Sequence, residues 1–197
     1  MVESKFDEAY YRRFYKDPAR QVTSQREIHR LGRFVCSYLK YLYVPVDSVL
    51  DMGCGFGYWQ AVIARHFPRA QYTGVEFSPY LCRTKGWTRG SVTQFESPDP
   101  FDFVVCQGVL QYLSAKDAQK GIANLARLTR WALYLEVVTD RDWKNVCDQT
   151  TTDGSVHLRS RDWYAQRLKK DFVSLGGGLF AKKDAPIHLY DIERAGW

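Results

Sequence analysis

Two periodicities divide this chain. Between residues 25 and 42, Ile28, Leu31, Val35, Tyr38, Leu39 and Leu42 recur at helical spacing among charged residues, which predicts an amphipathic helix. Thr23 and Ser24 are N-cap candidates for it, and Pro45 closes it. Upstream, FDEAYYRRFY (6–15) predicts a short helix that stops at Asp17-Pro18. From residue 47 the pattern changes to short apolar runs separated by amphipathic stretches. Strands are expected at 47–52, 70–77, 91–95, 101–106 and 131–138, and helices at 58–67, 78–86, 115–129 and 160–170. Pro68 stops the first of these helices, and Ser78 caps the second with Pro79 in its first turn. DFVSLGGGLFAKK (171–183) and APIHLYDIE (185–193) read as two adjacent strands that form a hairpin.

The central strands are apolar nearly throughout and alternate with helices. That pattern marks a parallel sheet covered on both faces. The expected fold is α/β and doubly wound, a mostly parallel seven-stranded sheet with an antiparallel C-terminal hairpin strand and N-terminal capping helices. A chain of 197 residues suits one well-cored domain. Residues 1–45 read as a helical cap and 46–197 as the α/β domain, a single domain overall.

Hydrophobic residues make up 45% and charged residues 25%, ordinary values for a globular protein, whereas 15% aromatic is high enough to line a pocket as well as a core. No signal peptide or membrane-length apolar run is visible, so a cytoplasmic protein without membrane association is expected. The five cysteines are odd in number and form no CxxC, which reads as reduced thiols. Cys147 and His157 lack a second pair at zinc spacing, and no metal is expected. The net charge of +6 lies on the flanks, because residues 46–140 carry nine basic and nine acidic side chains. A basic exterior suits an anionic substrate or a nucleic acid, but no basic run is present and a solvated surface is the plainer reading.

The most informative stretch is VLDMGCGFG (49–57). Gly53, Gly55 and Gly57 follow the first sheet strand, where ligands of open parallel sheets bind. Glycine allows positive φ and close approach of a ligand to the backbone. The spacing is G-x-G-x-G, with Tyr58 in place of a dinucleotide fingerprint's third glycine, and no P-loop lysine is present. Asp51 would repel a pyrophosphate and suits a positively charged ligand. In GVEFS, Glu76 ends the second strand, placed to accept ribose hydroxyls, and Phe77 could lie against an adenine face. Together these features describe a nucleoside with an amino-acid tail and no phosphates.

VLDMGCGFG, GVEFS and FDFVVCQGVLQYL, in that order across residues 47–138, resemble the class I S-adenosylmethionine-dependent methyltransferases. The resemblance implies a Rossmann-like domain that binds S-adenosyl-L-methionine. Asp51 and the turn of Gly53, Cys54, Gly55 and Gly57 would hold the methionine part, and Gln107 and Gly108 would border it. Glu76 would bind the ribose. The family's acidic adenine contact after the third strand has no clear counterpart in SVTQFESPDP, where Gln94, Phe95 or Glu96 could serve.

Methyl transfer from a sulfonium is an in-line displacement that needs a base only when the nucleophile arrives protonated. Candidates at the same sheet edge are Tyr112, Glu136 (with Asp140 and Asp142 beyond) and His157, each with a plainer reading as a core, locally paired or surface residue. Tyr10, Tyr11, Phe14 and Tyr15, interleaved with Arg12 and Arg13, could close over the cofactor and an anionic or aromatic acceptor. Tyr11 joins the catalytic candidates on that ground. CQGVLQYL lacks the proline-rich motif of the base-amino methyltransferases, and Cys106 follows Val105, unlike the Pro-Cys nucleophile of the C5-cytosine enzymes. The expectation is methyl transfer to O or N of a small molecule. An RNA or protein methyltransferase that uses the basic flanks, and a catalytically silent cofactor-binding regulatory module, are the rival readings.

Overall fold

The computed structural model describes residues 5–16, 23–193 and 196. The predicted helix stop at Asp17-Pro18 lies outside the described residues. Among the described residues, seven strands form one sheet: β1 (Ser48–Met52), β2 (Gln71–Glu76), β3 (Thr88–Arg89), β4 (Phe101–Gln107), β5 (Thr129–Glu136), β6 (Phe172–Gly176) and β7 (Leu179–Lys182). Their order is β3-β2-β1-β4-β5-β7-β6. β7 runs antiparallel to β5 and β6, and every other pairing is parallel. The chain winds outward from β1 to β3 and then crosses back to β4, so the strand order reverses beside β1. A ligand crevice is expected at the carboxyl ends of strands at such a reversal.

The strands are apolar on both faces because both faces are covered. Val49, Phe103 and Val105 point to one layer with α2 (Gln25–Tyr41) and α3 (Tyr58–His66). Their neighbours Leu50, Val104 and Cys106 point to the other layer with α5 (Ala115–Leu128) and α7 (Arg161–Leu168). Fully burying a Val or Leu side chain stabilises the fold by about 1.5–3 kcal/mol. Ser24 is the N-cap of α2 and forms a capping box with Glu27, with Ser24 N to Glu27 Oε2 at 2.7 Å. Gly32 lets α2 and α3 approach closely, since a Cβ there would lie 2.7 Å from Val62 Cγ1.

α1 (Glu8–Tyr11) continues into a π-helical turn at Arg12–Lys16, and α4 (Pro79–Lys85) follows β2. These segments share an aromatic cluster of Tyr10, Tyr11, Phe56, Tyr80 and Trp87. At the amino ends of the strands, the buried Asp102 accepts from Asp47 N, Ser48 N and Ser48 Oγ and pairs with Arg130. Its role there is to hold strand ends together, on the side away from the crevice.

Three expectations change. The third strand is Thr88–Arg89, and residues 91–95 form a turn in place of the expected strand. Gln94 N and Phe95 N both donate to Ser91 O, and Asn124 Nδ2 on α5 donates to Val92 O and Phe95 O. The backbone groups that a ladder would use are thus taken by a turn and by one helix side chain, which buries Val92 against α5. The terminal hairpin lies wholly within 171–183, because Gly176, Gly177 and Gly178 all have positive φ and turn the chain, with Gly176 ending β6 and Gly177 and Gly178 in the turn itself. Residues 185–193 then contain no strand and end in a 3₁₀ turn at Asp191–Glu193. A short helix, α6 (Asp140–Asn145), was also unforeseen, although Thr139 and Asp142 form a capping box for it. No helix among the described residues is long and apolar enough to cross a membrane.

Candidate active site

The glycine turn lies between β1 and α3. Gly53, Gly55 and Gly57 have φ of 82°, 53° and 78°. They serve different ends. A Cβ on Gly53 would strike Val109 at 2.4 Å and one on Gly57 would strike Trp87 at 2.5 Å, whereas nothing lies within 4 Å of a Cβ on Gly55. Gly53 and Gly57 permit close packing, and Gly55 leaves open space. Trp87 Nε1 donates to Gly55 O at 2.9 Å and fixes the turn from below.

Glu76, 6% exposed, ends β2 beside that turn. Its Oε1 accepts from Phe77 N and Ser78 N at 2.9 and 2.8 Å, and Oε2 accepts from Gly55 N at 2.9 Å. Three main-chain donors therefore orient the carboxylate and leave one of its roughly four acceptor positions open. A cavity of about 140 Å³ adjoins it, walled by Phe77, Val92, Val109, Leu113, Tyr11 and Tyr15. Such a chamber, apolar on its walls with one fixed acceptor at the rim, suits a nucleoside.

A larger cavity of about 400 Å³ adjoins the first and shares Gly53, Gly55, Gln107, Gly108, Tyr10 and Tyr112 with it. Asp51, 2% exposed, borders it and accepts from Tyr72 Oη at 2.5 Å. Burial drives the Asp51 carboxyl up to about 7, against the lowering effect of the Tyr72 bond and with a smaller push from Glu76. A cationic ligand beside it would favour its ionised form. Gln107 is held at both ends: Trp59 Nε1 donates to its Oε1 at 2.8 Å, and its Nε2 donates to Glu136 Oε2 at 3.1 Å. Tyr134 Oη also donates to Glu136 Oε2 at 3.0 Å.

The N-terminal segment borders both chambers. Tyr10 Oη and Tyr112 Oη are 2.9 Å apart, and Lys5 Nζ lies 2.9 Å from Asp153 Oδ2. Burial raises the Tyr10, Tyr11 and Tyr15 phenols, and it pushes Tyr112 up to about 12. All four therefore keep their protons at neutral pH. For Asp153, burial acts upward but is outweighed by bonds from Lys5 and Ser155 N, which bring it below the usual carboxylate range.

The sequence candidates divide as follows. Asp51, Gly53, Cys54, Gly55, Glu76, Phe77 and Gln107 border one or both cavities, as do Tyr11, Tyr112 and Glu136. Gly57 does not, and packs on Trp87. Ser91 and Val92 line the smaller chamber in place of the expected 94–96 stretch. Phe95 packs instead against the α5 layer, and Gln94 and Glu96 are exposed. His157 is exposed and borders neither cavity. Arg12 and Arg13 are exposed as well. Sequence reasoning missed Trp59, Gln111, Trp143 and Asp153, all of which line the larger cavity. Gln111 is 6% exposed, and its Oε1 has no hydrogen-bond partner among the described residues. Among the described residues, no group of three or more His, Cys, Asp or Glu could hold a metal ion.

An open α/β sheet with its crevice at the β1/β4 reversal defines the fold of the class I S-adenosylmethionine-dependent methyltransferases. Residues 50–130 match the family model described as a methyltransferase domain. Among curated proteins, the chain is 22% identical over 136 residues to malonyl-[acyl-carrier protein] O-methyltransferase of Anoxybacillus flavithermus, a match that covers 64% of this chain and 51% of that one. The chain thus spans about half the length of that relative. Magnesium protoporphyrin IX methyltransferase from Synechocystis PCC 6803, solved with S-adenosylhomocysteine, superposes with a TM-score of 0.62 at 17% identity, over 92% of this chain and 95% of that one. An amino pentose methyltransferase from Micromonospora echinaspora, solved with S-adenosylmethionine, gives 0.59 at 17% identity, over 82% and 92%.

Proposed function

We propose that this protein is an S-adenosylmethionine-dependent methyltransferase that acts on a small molecule. The observation that carries the reading is the meeting of Gly55, the oriented Glu76 carboxylate and the buried Asp51 at one sheet edge, between two adjoining cavities. The residues fit the cofactor: an open acceptor position on Glu76 for a ribose hydroxyl, an apolar chamber for a base, and an acid beside a bare turn for an ammonium-bearing tail. When bound, the cofactor supplies an electrophilic methyl group on a positively charged sulfur.

The chain's own part is to bind, to align and to exclude water. Glu76 would accept from the ribose, and Phe77, Ser91 and Val92 would flank the base. Asp51, Gly53, Cys54 and Gly55 would hold the tail, with Gln107 pinned beside it by Trp59 and Glu136. Tyr10, Tyr11 and Tyr15 form a cover that keeps water from the transfer. Alignment of this kind lowers a barrier by about 7–11 kcal/mol. Tyr112 holds its proton and acts as a wall or a hydrogen-bond donor in this reading, and Glu136 is the better-placed base. Residues 1–45 serve as the cap and 46–197 as the catalytic domain of a single unit.

The solved neighbours act, by their descriptions, on an amino pentose and on a magnesium porphyrin, which supports a small-molecule acceptor. The test is incubation with methyl-labelled cofactor and a fractionated metabolite extract. Label in a low-molecular-weight product is the expected result. Label only in RNA or protein would replace the acceptor class, and no label in any fraction would overturn the enzymatic reading.

A further inference from the structure

We propose that the acceptor is an amine, bound as its ammonium against the carboxylates and aromatic rings of the larger cavity and methylated on nitrogen. This rests on the methyltransferase reading and narrows it. The chain carries a net charge of +6, yet the described residues that line this cavity include the acids Glu27, Asp51, Glu136 and Asp153 and no lysine, arginine or histidine. The sign inside is opposite to the sign outside. A carboxylate or phosphate ester would meet repulsion here, and a cation would be drawn in.

The acids are not equivalent. Glu27 Oε2 is engaged by the Ser24 cap, and Asp51 sits beside the glycine turn, where the cofactor's own ammonium would go. Glu136 and Asp153 remain for the acceptor. Glu136 is exposed, and its Oε2 takes bonds from Gln107 and Tyr134. Asp153 is 8% exposed and is shared with Lys5 and Ser155 N. Gln111 Oε1 adds a third acceptor, buried and without a partner among the described residues. A buried acceptor left unmatched is destabilising, so a donor that reaches it is favoured. An ammonium offers up to three N–H donors to such a set, whereas an alcohol offers one and an anion none. Tyr10, Tyr15, Tyr58, Trp59 and Trp143 supply ring surface on the same cavity, which favours a cation further.

The ammonium gives one proton to a Glu136 oxygen, from which it passes to water. The freed nitrogen lone pair then forms the N–C bond as the C–S bond breaks, and the bonding pair stays on sulfur, which loses its positive charge.

The test uses the full chain with S-adenosylhomocysteine present and three probes of one shape: 2-phenylethylamine, 2-phenylethanol and 3-phenylpropanoate. Trp59 and Trp143 line the cavity, so tryptophan fluorescence reports binding. The amine is expected to bind at least about tenfold more tightly than either isostere, a difference of about 1.4 kcal/mol. Glu136→Gln, at an exposed position that does not burden folding, should reduce that preference to under about threefold, and Asp153→Asn should do the same. With bound S-adenosylhomocysteine, equal or tighter binding of the alcohol or the acid would overturn the amine proposal alone. So would a preference unchanged in both variants. Failure of S-adenosylhomocysteine itself to bind would take down the methyltransferase reading with it.

Discussion

Asp51 joins pH and stability in one side chain and, in the proposed site, ligand binding as well. Its folded-state pKa, raised by burial to about 7, stands above the ordinary value of 3.8. The folded protein therefore holds this proton more tightly than the unfolded chain does. Its stabilising contribution is full below about pH 4 and is lost as pH rises through 7. Asp51→Asn should raise the melting temperature of the ligand-free protein at pH 8 and flatten the dependence on pH between 4 and 7. The affected free energy is on the order of a few kcal/mol, at about 1.4 kcal/mol per pH unit. The same variant should weaken S-adenosylhomocysteine binding, and a thermal-shift series across pH with and without ligand measures both. Glu76→Ala should weaken that ligand by about 1.5–3 kcal/mol, the range for a hydrogen bond to a charged group. Calorimetry checks it, and unchanged affinity would mean that the ribose lies elsewhere. The convergence of Asp51, Gly55 and Glu76 was legible because each lies within three residues of the carboxyl end of an apolar strand. Gln111, Trp143 and Asp153 were not legible, because their approach depends on how the loops after β4 and β5 fold back, and no local spacing encodes that.

At the scale of elements, the parallel strands could be read because each is apolar on both faces. Helix α2 could be read because its buried stripe and its Ser24–Glu27 box agree. The third strand was misplaced because Val92, Thr93 and Phe95 suit a strand by propensity. Tertiary contacts decide otherwise, with Asn124 capturing two of the carbonyls. The hairpin was misplaced although its signal was present: of three successive glycines inside 171–183, Gly176 ends β6 and Gly177 and Gly178 make the turn. The α2–α3 contact gives a direct test of packing. Gly32 faces Val62 so closely that even a Cβ must displace it. Gly32→Leu should destabilise the protein by about 1–3 kcal/mol through overpacking, measured as a lower urea midpoint with an unchanged slope.

Across the whole molecule, the N-terminal segment is tied down at separated points. Lys5 reaches Asp153 and Ser155 O, Ser78 Oγ donates to Phe6 O at 2.6 Å, and Tyr10 meets Tyr112. Residues far apart in sequence thus enclose one ligand space. Lys5→Met breaks one tie only, and a partly exposed ion pair contributes about 1 kcal/mol or less. Stopped-flow release of S-adenosylhomocysteine should therefore quicken by no more than about fivefold in this variant, with little change in melting temperature. In the proposed function, a sulfonium nucleoside lies in the crevice between the glycine turn, Asp51 and Glu76. Titration calorimetry of the full chain with S-adenosylhomocysteine tests it most directly. Saturable one-to-one binding that Glu76→Ala weakens is the expected result, and no heat of binding at high ligand concentration would contradict this placement.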